Sequence, residues 1–219
     1  MTSSPRIFLV HAVAVAMGPI ADAFARDWPA AKLVNLLEDS LSPDRARDAA
    51  LTEAMSERII GLCRYARRAG ADAVLYTCSA FGPAIEAAAR EAPIPVLKPN
   101  EAIFEAALAY GARIGMLATF APSVGTMESE FAEEAARRRP GARLETVLVD
   151  RALDLLKGGD AAAHNALIAA RAPELAAQDA IVLAHFSTSR AAEAVRAAVA
   201  RPVLTSPDAA VAKLKRLLV

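Results

Sequence analysis

The strongest constraint on what this chain can fold into is that it repeats itself at a single offset. "DAVLYTCSAFGPAIEAAAREAPIPVLKPNEAI", from Asp72, lies without gaps over "DAIVLAHFSTSRAAEAVRAAVARPVLTSPDAA", from Asp179, 107 residues further on. The overlay pairs Asp72 with Asp179, Glu86 with Glu193, and the PVL at 95–97 with the PVL at 202–204. The same offset sets "RIFLVHAVAVAMGPIADAF", from Arg6, over "RIGMLATFAPSVGTMESEF", from Arg113, and aligns Gly18 with Gly125 and Phe24 with Phe131. Alanine matches carry little weight in so alanine-rich a chain. One offset shared by two separate blocks implies two homologous halves related by a pseudo-twofold. The expected division is a first half of 1–97 plus 207–219 and a second half of 98–206, with an active site between them.

Within each half, short apolar runs alternate with amphipathic ones. "RIFLVH", "KLVNLL", "AVLYT", "IPVLK", "RIGMLA", "RLETVLV", "AIVLA" and "RPVLT" read as strands. Alanine-rich stretches such as "SPDRARDAALTEAMSERIIGLCRYARRAG" read as helices, with Pro or Gly at their boundaries. Regular βα alternation predicts an α/β fold of mainly parallel sheets covered by helices.

Composition excludes several function classes. At 219 residues and 55% hydrophobic content the chain can bury a sizeable core. Twenty-five basic residues balance 25 acidic ones, so there is no electrostatic footprint for nucleic acid and no polybasic membrane patch. Two cysteines without a CxxC spacing and three histidines support neither a disulfide framework nor a structural zinc site, and predict a reducing, cytoplasmic setting. The start, "PRIFLVHAVAVAMGPIADAFA", imitates a short signal peptide, but the repeat makes it a strand, and the apolar run from Ile7 to Met17 is too short to cross a bilayer.

The repeat also says where chemistry belongs. In open parallel α/β sheets ligands bind beyond the C-terminal strand ends, where loops expose helix N-termini. Cys78 stands at such a junction, and unpaired amides and a helix dipole would favour its thiolate. The competing reading is a small buried hydrophobe. At the 107-residue offset its counterpart is His185, an imidazole that can give or take a proton. Cys63, inside the helical "RIIGLCRYARR", falls on an apolar stripe and reads as core.

The strand–Cys–helix junction "YTCSAFG", the segment "RIGMLATFAPSVGTM" and the strand "IVLAHFST", in this order and spacing, resemble the aspartate/glutamate racemase superfamily. That group includes glutamate, aspartate and hydantoin racemases, arylmalonate decarboxylase and maleate isomerase. The resemblance covers essentially the whole chain and implies two flavodoxin-like halves and an isomerase that needs neither cofactor nor metal. In its racemases two cysteines flank the α-carbon; one removes the proton and the other returns it on the opposite face. Here the second cysteine is replaced by His185, which departs from the two-thiol pattern. Arylmalonate decarboxylases keep the second-half cysteine and lack the first, the reverse of this chain.

The reaction so implied is proton transfer at the carbon next to a carboxylate or carbonyl, with Cys78 and His185 catalytic. Alternatives are a decarboxylase or maleate-type isomerase using one cysteine, and a non-catalytic binder of small acids. Thr77, Ser79 and the amides near Gly82 and Pro83 are expected to bind a carboxylate on the Cys78 side, with Thr119, Ser123, Phe186 and Ser187 in the second half. Ser123 and Ser187 can equally be helix caps. His11, ending the first strand, is either a ligand to substrate or a structural histidine. Arg190 is the candidate for a distal carboxylate, against a surface role. His164 is expected on a surface or helix face. The expected partners are a small carboxylate or hydantoin-like substrate and further copies of the chain.

Overall fold

The computed structural model describes residues 4–48 and 50–219. The chain divides into two compact units, Met1–Pro99 with Ala210–Val219, and Asn100–Ala209.

The first unit holds β1 (Arg6–His11), α1 (Met17–Asp27), β2 (Lys32–Leu37), α2 (Leu41–Arg47), α3 (Glu53–Arg68), β3 (Ala73–Tyr76), α4 (Gly82–Glu91) and β4 (Val96–Leu97). Its sheet runs β2-β1-β3-β4, and every neighbouring pair is parallel. The segment expected as one helical stretch from Ser42 is two helices. Thr52 stops the chain between them and caps α3, its hydroxyl accepting the Met55 amide at 3.2 Å. Cys63 is buried on α3, 2% exposed, as its stripe predicts. The buried Tyr76 hydroxyl donates to the Ile59 carbonyl at 2.7 Å and ties α3 to β3.

The second unit continues with α5 (Glu101–Leu108), β5 (Arg113–Ala118), α6 (Ala121–Arg138), β6 (Arg143–Leu148), α7 (Ala152–Lys157), α8 (Ala161–Arg171), β7 (Ala180–Leu183), α9 (Ala192–Ala198) and β8 (Val203–Thr205); α10 (Ser206–Leu218) leads from it into the last residues of the first. Its sheet order is β6-β5-β7-β8, again wholly parallel. All eight sequence segments expected as strands are strands.

The repeat is preserved in register. Ile7 pairs with Ala73 and Ile114 with Ala180; Val74 pairs with Val96 and Ile181 with Val203. Each of these positions is matched 107 residues on. The repeated Asp has a structural reason. Asp72 Oδ2 accepts the Arg6 amide at 2.7 Å, and Asp179 Oδ2 accepts the Arg113 amide at 2.9 Å, so each carboxylate pins the start of its unit's first strand. Asp179 also pairs with the Arg113 guanidinium at 2.8 Å, and this hydrogen-bonded partner holds its carboxyl down at about 2.

The central strands β3 and β7 are buried at every residue, as expected for parallel strands covered on both faces. In the second unit one face of the sheet packs Ile114, Met116 and Val182 against Phe104 and Phe131, whose rings meet edge to face with centroids 5.4 Å apart. The other face packs Leu117, Ile181 and Leu183 against Ile168, Leu175 and Val195. None of the described helices is long and apolar enough to cross a membrane.

Candidate active site

In the first unit the C-terminal ends of β1 and β3 carry His11, Thr77, Cys78 and Ser79. Cys78 is half-buried, in extended backbone (φ −118°, ψ 124°), and opens a 3₁₀ turn at Ser79–Phe81 that runs into α4. A fully formed helix N-terminus is therefore one turn away. Burial pushes the Cys78 thiol up, opposed by the Ala80 amide and the positive charge of Arg45. The thiolate expected from the sequence gives way to a neutral thiol at rest, because desolvation outweighs those two stabilising influences.

His11 is fully buried and offers no free ring nitrogen. Its Nδ1 lies 2.9 Å from Thr77 Oγ1 and its Nε2 lies 2.9 Å from Asn35 Oδ1. An amide oxygen can only accept, so Nε2 carries the proton, and the bare Nδ1 is the nearer of two acceptors facing the Thr77 hydroxyl, the Val10 carbonyl lying at 3.3 Å. Burial lowers the His11 pKa against the opposing effect of the Asn35 bond, which agrees with a neutral ring. Of the two readings of His11, the structural one fits this geometry, and the Thr77 hydroxyl is held beside it. Asn35 escaped the sequence reading, although a lone amide inside the apolar "KLVNLL" was its signal.

In the second unit the ends of β5 and β7 bring together Thr119, Ser123, His185 and Thr188. His185 Nε2 lies 2.7 Å from Ser123 Oγ, and Nδ1 lies 3.4 Å from Thr119 Oγ1. Thr119 Oγ1 is in turn 3.2 Å from Thr188 Oγ1, a residue with no counterpart among the expected ones. Burial pushes the His185 pKa down to about 4, so the ring is neutral at neutral pH. His185 also has a left-handed backbone, φ 69°, where Cys78 is extended. The repeat is therefore broken locally at this position.

The remaining candidates divide by exposure. Phe186 is fully buried and anchors the loop, its carbonyl accepting the Ser189 hydroxyl at 2.7 Å. Ser79 and Ser187 are 3% and 6% exposed, and Ser123 is 0% exposed, turned to His185. Gly82 is buried at the start of α4, and Pro83 beside it has no amide to donate. Arg190 is exposed, on the 3₁₀ turn Ser187–Ala191. The surface position expected for His164 is overturned: it is 0% exposed on α8, the one face of that helix that packs inward. Its Nδ1 bonds Asn165 Oδ1 at 2.8 Å, and burial, with the charge of Arg190, lowers its pKa against that bond. No group of three or more His, Cys, Asp or Glu among the described residues could hold a metal ion.

Comparison with known proteins finds the same architecture elsewhere. Glutamate racemase from Bacillus anthracis superposes with a TM-score of 0.77 at 14% identity, covering 99% of this chain and 82% of that one. Allantoin racemase from Klebsiella pneumoniae gives 0.75 at 20% identity, covering 98% and 88%. Arylmalonate decarboxylase gives 0.65 at 18% identity, covering 98% and 93%. No curated protein matches the chain. The sequence model described as Asp/Glu/hydantoin racemase matches residues 17–214, nearly the full length. Two equivalent parallel units, a cysteine after the third strand of the first and that match together place the chain in the Asp/Glu/hydantoin racemase family.

Proposed function

We propose that the chain catalyses proton transfer at a carbon next to a carboxylate or carbonyl, with His185 as base and Cys78 as acid in the resting enzyme. What supports this assignment is where the two groups stand: Cys78 follows β3 and His185 follows the equivalent strand β7, and burial favours the neutral form of each. The imidazole takes the α-proton and the electron pair of the C–H bond moves into the carbonyl, giving an enolate. The thiol then delivers its proton to the other face of the carbon. Imidazolium and thiolate remain, which is the arrangement that turns over the opposite enantiomer. A single base would return the proton to the face it left, so inversion needs a second group to supply a proton from the opposite face.

Hydroxyls and backbone amides at the strand ends, with Ser79 and Ser187 as the candidates, would hold the carboxylate and the developing enolate charge. The substrate class is a small carboxylate or a hydantoin-like amide. The relevant experiment is α-deuterium uptake in D₂O, followed by proton NMR, on aspartate, glutamate, substituted hydantoins and arylmalonates. Wild-type protein exchanges one of these, and Cys78→Ala and His185→Ala each lose inversion by at least two orders of magnitude. Full turnover by either variant defeats the assignment.

The presence of one cysteine rather than two at the strand ends supports a second reading, decarboxylation with Cys78 delivering the proton to the enolate left by CO₂. Release of CO₂ from an arylmalonate without α-exchange of the acid product would select it.

A further inference from the structure

The hydroxyls around His185 determine which ring nitrogen does the work. Ser123 sits in the first turn of α6, fully buried, with its Oγ 2.8 Å from the Phe120 carbonyl and 2.7 Å from His185 Nε2. It has one proton for these two close neighbours, the Met127 sulfur lying further off at 3.9 Å. The Phe120 carbonyl can only accept, whereas Nε2 can either donate or accept. If Ser123 donates to Phe120, both contacts are satisfied: the carbonyl receives a hydroxyl proton and Ser123 Oγ receives Nε2–H. If Ser123 donates to Nε2, its short approach to the carbonyl places two acceptors face to face. The first arrangement also survives protonation of the ring, because an imidazolium carries Nε2–H as well and Ser123 need not turn. On the other side, Nδ1 has, among the described residues, only Thr119 Oγ1 at 3.4 Å, beyond an ordinary hydrogen bond's optimum, and Thr119 has Thr188 at 3.2 Å as another partner.

We infer that His185 exchanges its proton through Nδ1, and that Ser123 is the positioning residue that keeps Nε2–H in place throughout the cycle. This deepens the proposed function and rests on it for its catalytic meaning. The left-handed backbone at His185 belongs to the same device. A φ of 69° redirects the side chain relative to the extended backbone of Cys78, and histidine is among the residues that enter this region with least strain. The hydroxyls expected to hold substrate are thus spent differently: Ser123 serves the ring, and Thr119 guards the nitrogen that reacts.

The test is long-range ¹H–¹⁵N correlation NMR of uniformly labelled protein at neutral pH, with His185→Gln to assign the signals. The expected spectrum shows His185 protonated on Nε2 and bare on Nδ1, in a ratio of at least tenfold. In Ser123→Ala that preference collapses, α-deuterium uptake falls at least tenfold, and circular dichroism stays unchanged. Ser123→Thr, which keeps the acceptor, restores the Nε2–H form and most of the uptake. A wild-type ring protonated on Nδ1, or a tautomer indifferent to Ser123→Ala, overturns the inference. Should Ser123→Ala fail to fold, the wild-type spectrum alone still decides. Absence of α-exchange in wild-type protein with the Nε2–H tautomer present would instead strike the proposed function.

Discussion

His11 Nδ1 stands 2.9 Å from Thr77 Oγ1, and in the second unit the two residue types have changed places, with Thr119 after β5 and His185 after β7. Both pairs are 66 residues apart and both bridge the ends of the first and third strands of their sheet. The exchange has a chemical consequence. In the first unit the histidine is locked at the strand base and the third strand is free to present a thiol; in the second the threonine is the support and the histidine is presented.

Removing the support in the first unit therefore harms both stability and turnover. His11→Ala takes a fully buried ring out of the site and leaves a cavity, at a cost of about 2–5 kcal/mol; the exposed Asn35 turns to water and the Thr77 hydroxyl falls back on the Val10 carbonyl at 3.3 Å. Thr77→Val, which keeps the shape and removes only the hydroxyl, costs about 1 kcal/mol. Urea unfolding of both variants gives the ranking, and turnover falls in both because Thr77 directly precedes Cys78. Wild-type stability for His11→Ala would show that the chain of three side chains carries no load.

The raised thiol of Cys78 is open to direct measurement. Iodoacetamide reacts with thiolate, so in a Cys63→Ala background the alkylation rate at Cys78 climbs about tenfold per pH unit past the ordinary cysteine value of about 8.5. Arg45→Gln removes a charge that favours thiolate and slows alkylation further. A rate that is already flat between pH 6 and 8 would mean a resting thiolate and reverse the acid and base roles.

Restoring a second cysteine does not restore a two-thiol enzyme. His185→Cys places a residue with no affinity for left-handed backbone at φ 69°, which costs about 1–2 kcal/mol. The shorter side chain also abandons Ser123 and Thr119. Deuterium uptake at least tenfold below wild type, with a lowered unfolding midpoint, is the expected result. Activity equal to wild type would mean that the loop reshapes without penalty.

Much of this was legible in the sequence because apolar periodicity and a fixed offset are local signals. The eight strands, the parallel pairing and the core position of Cys63 follow from them. Protonation was not legible: the helix-dipole argument at Cys78 is sound as a local effect, yet burial, a property of the whole fold, outweighs it. The same holds for His164, whose distance from any strand end said nothing of which helix face packs inward. The Ser123–His185 contact joins residues 62 apart, and only the meeting of α6 with the β7 loop reveals it.

The repeated aspartates make one stability test of the fold itself. A Cβ built on Gly111 would run into Asp179 Oδ2, so Gly111→Ala must displace the carboxylate that holds the Ala112 and Arg113 amides. A lowered unfolding midpoint is expected, because two amide donors and an ion pair give way together. Asp179→Asn, which keeps the shape, loses less. Equal unfolding midpoints for Gly111→Ala and wild type would show that the β5 start is held by other means.

Acid sensitivity follows from the three histidines, all of them shifted down by burial. A group whose folded pKa lies below its unfolded value binds fewer protons when folded, so stability is intact above the unfolded value of about 6.5 and is lost as pH falls. For His185 the window runs from about 6.5 to about 4, and the loss is at most about 3 kcal/mol, less whatever solvent reaches the half-buried ring. His11 and His164 add losses of the same sign, since both are fully buried and must accept a charge. His164 also carries the repulsion of Arg190, so Arg190→Gln recovers part of its share. Urea titrations between pH 7 and pH 4 read the slope directly, and the His185→Gln variant, which cannot titrate, shows a shallower fall than wild type. An equal slope in the two proteins would place His185 outside the acid response and contradict its buried, neutral state.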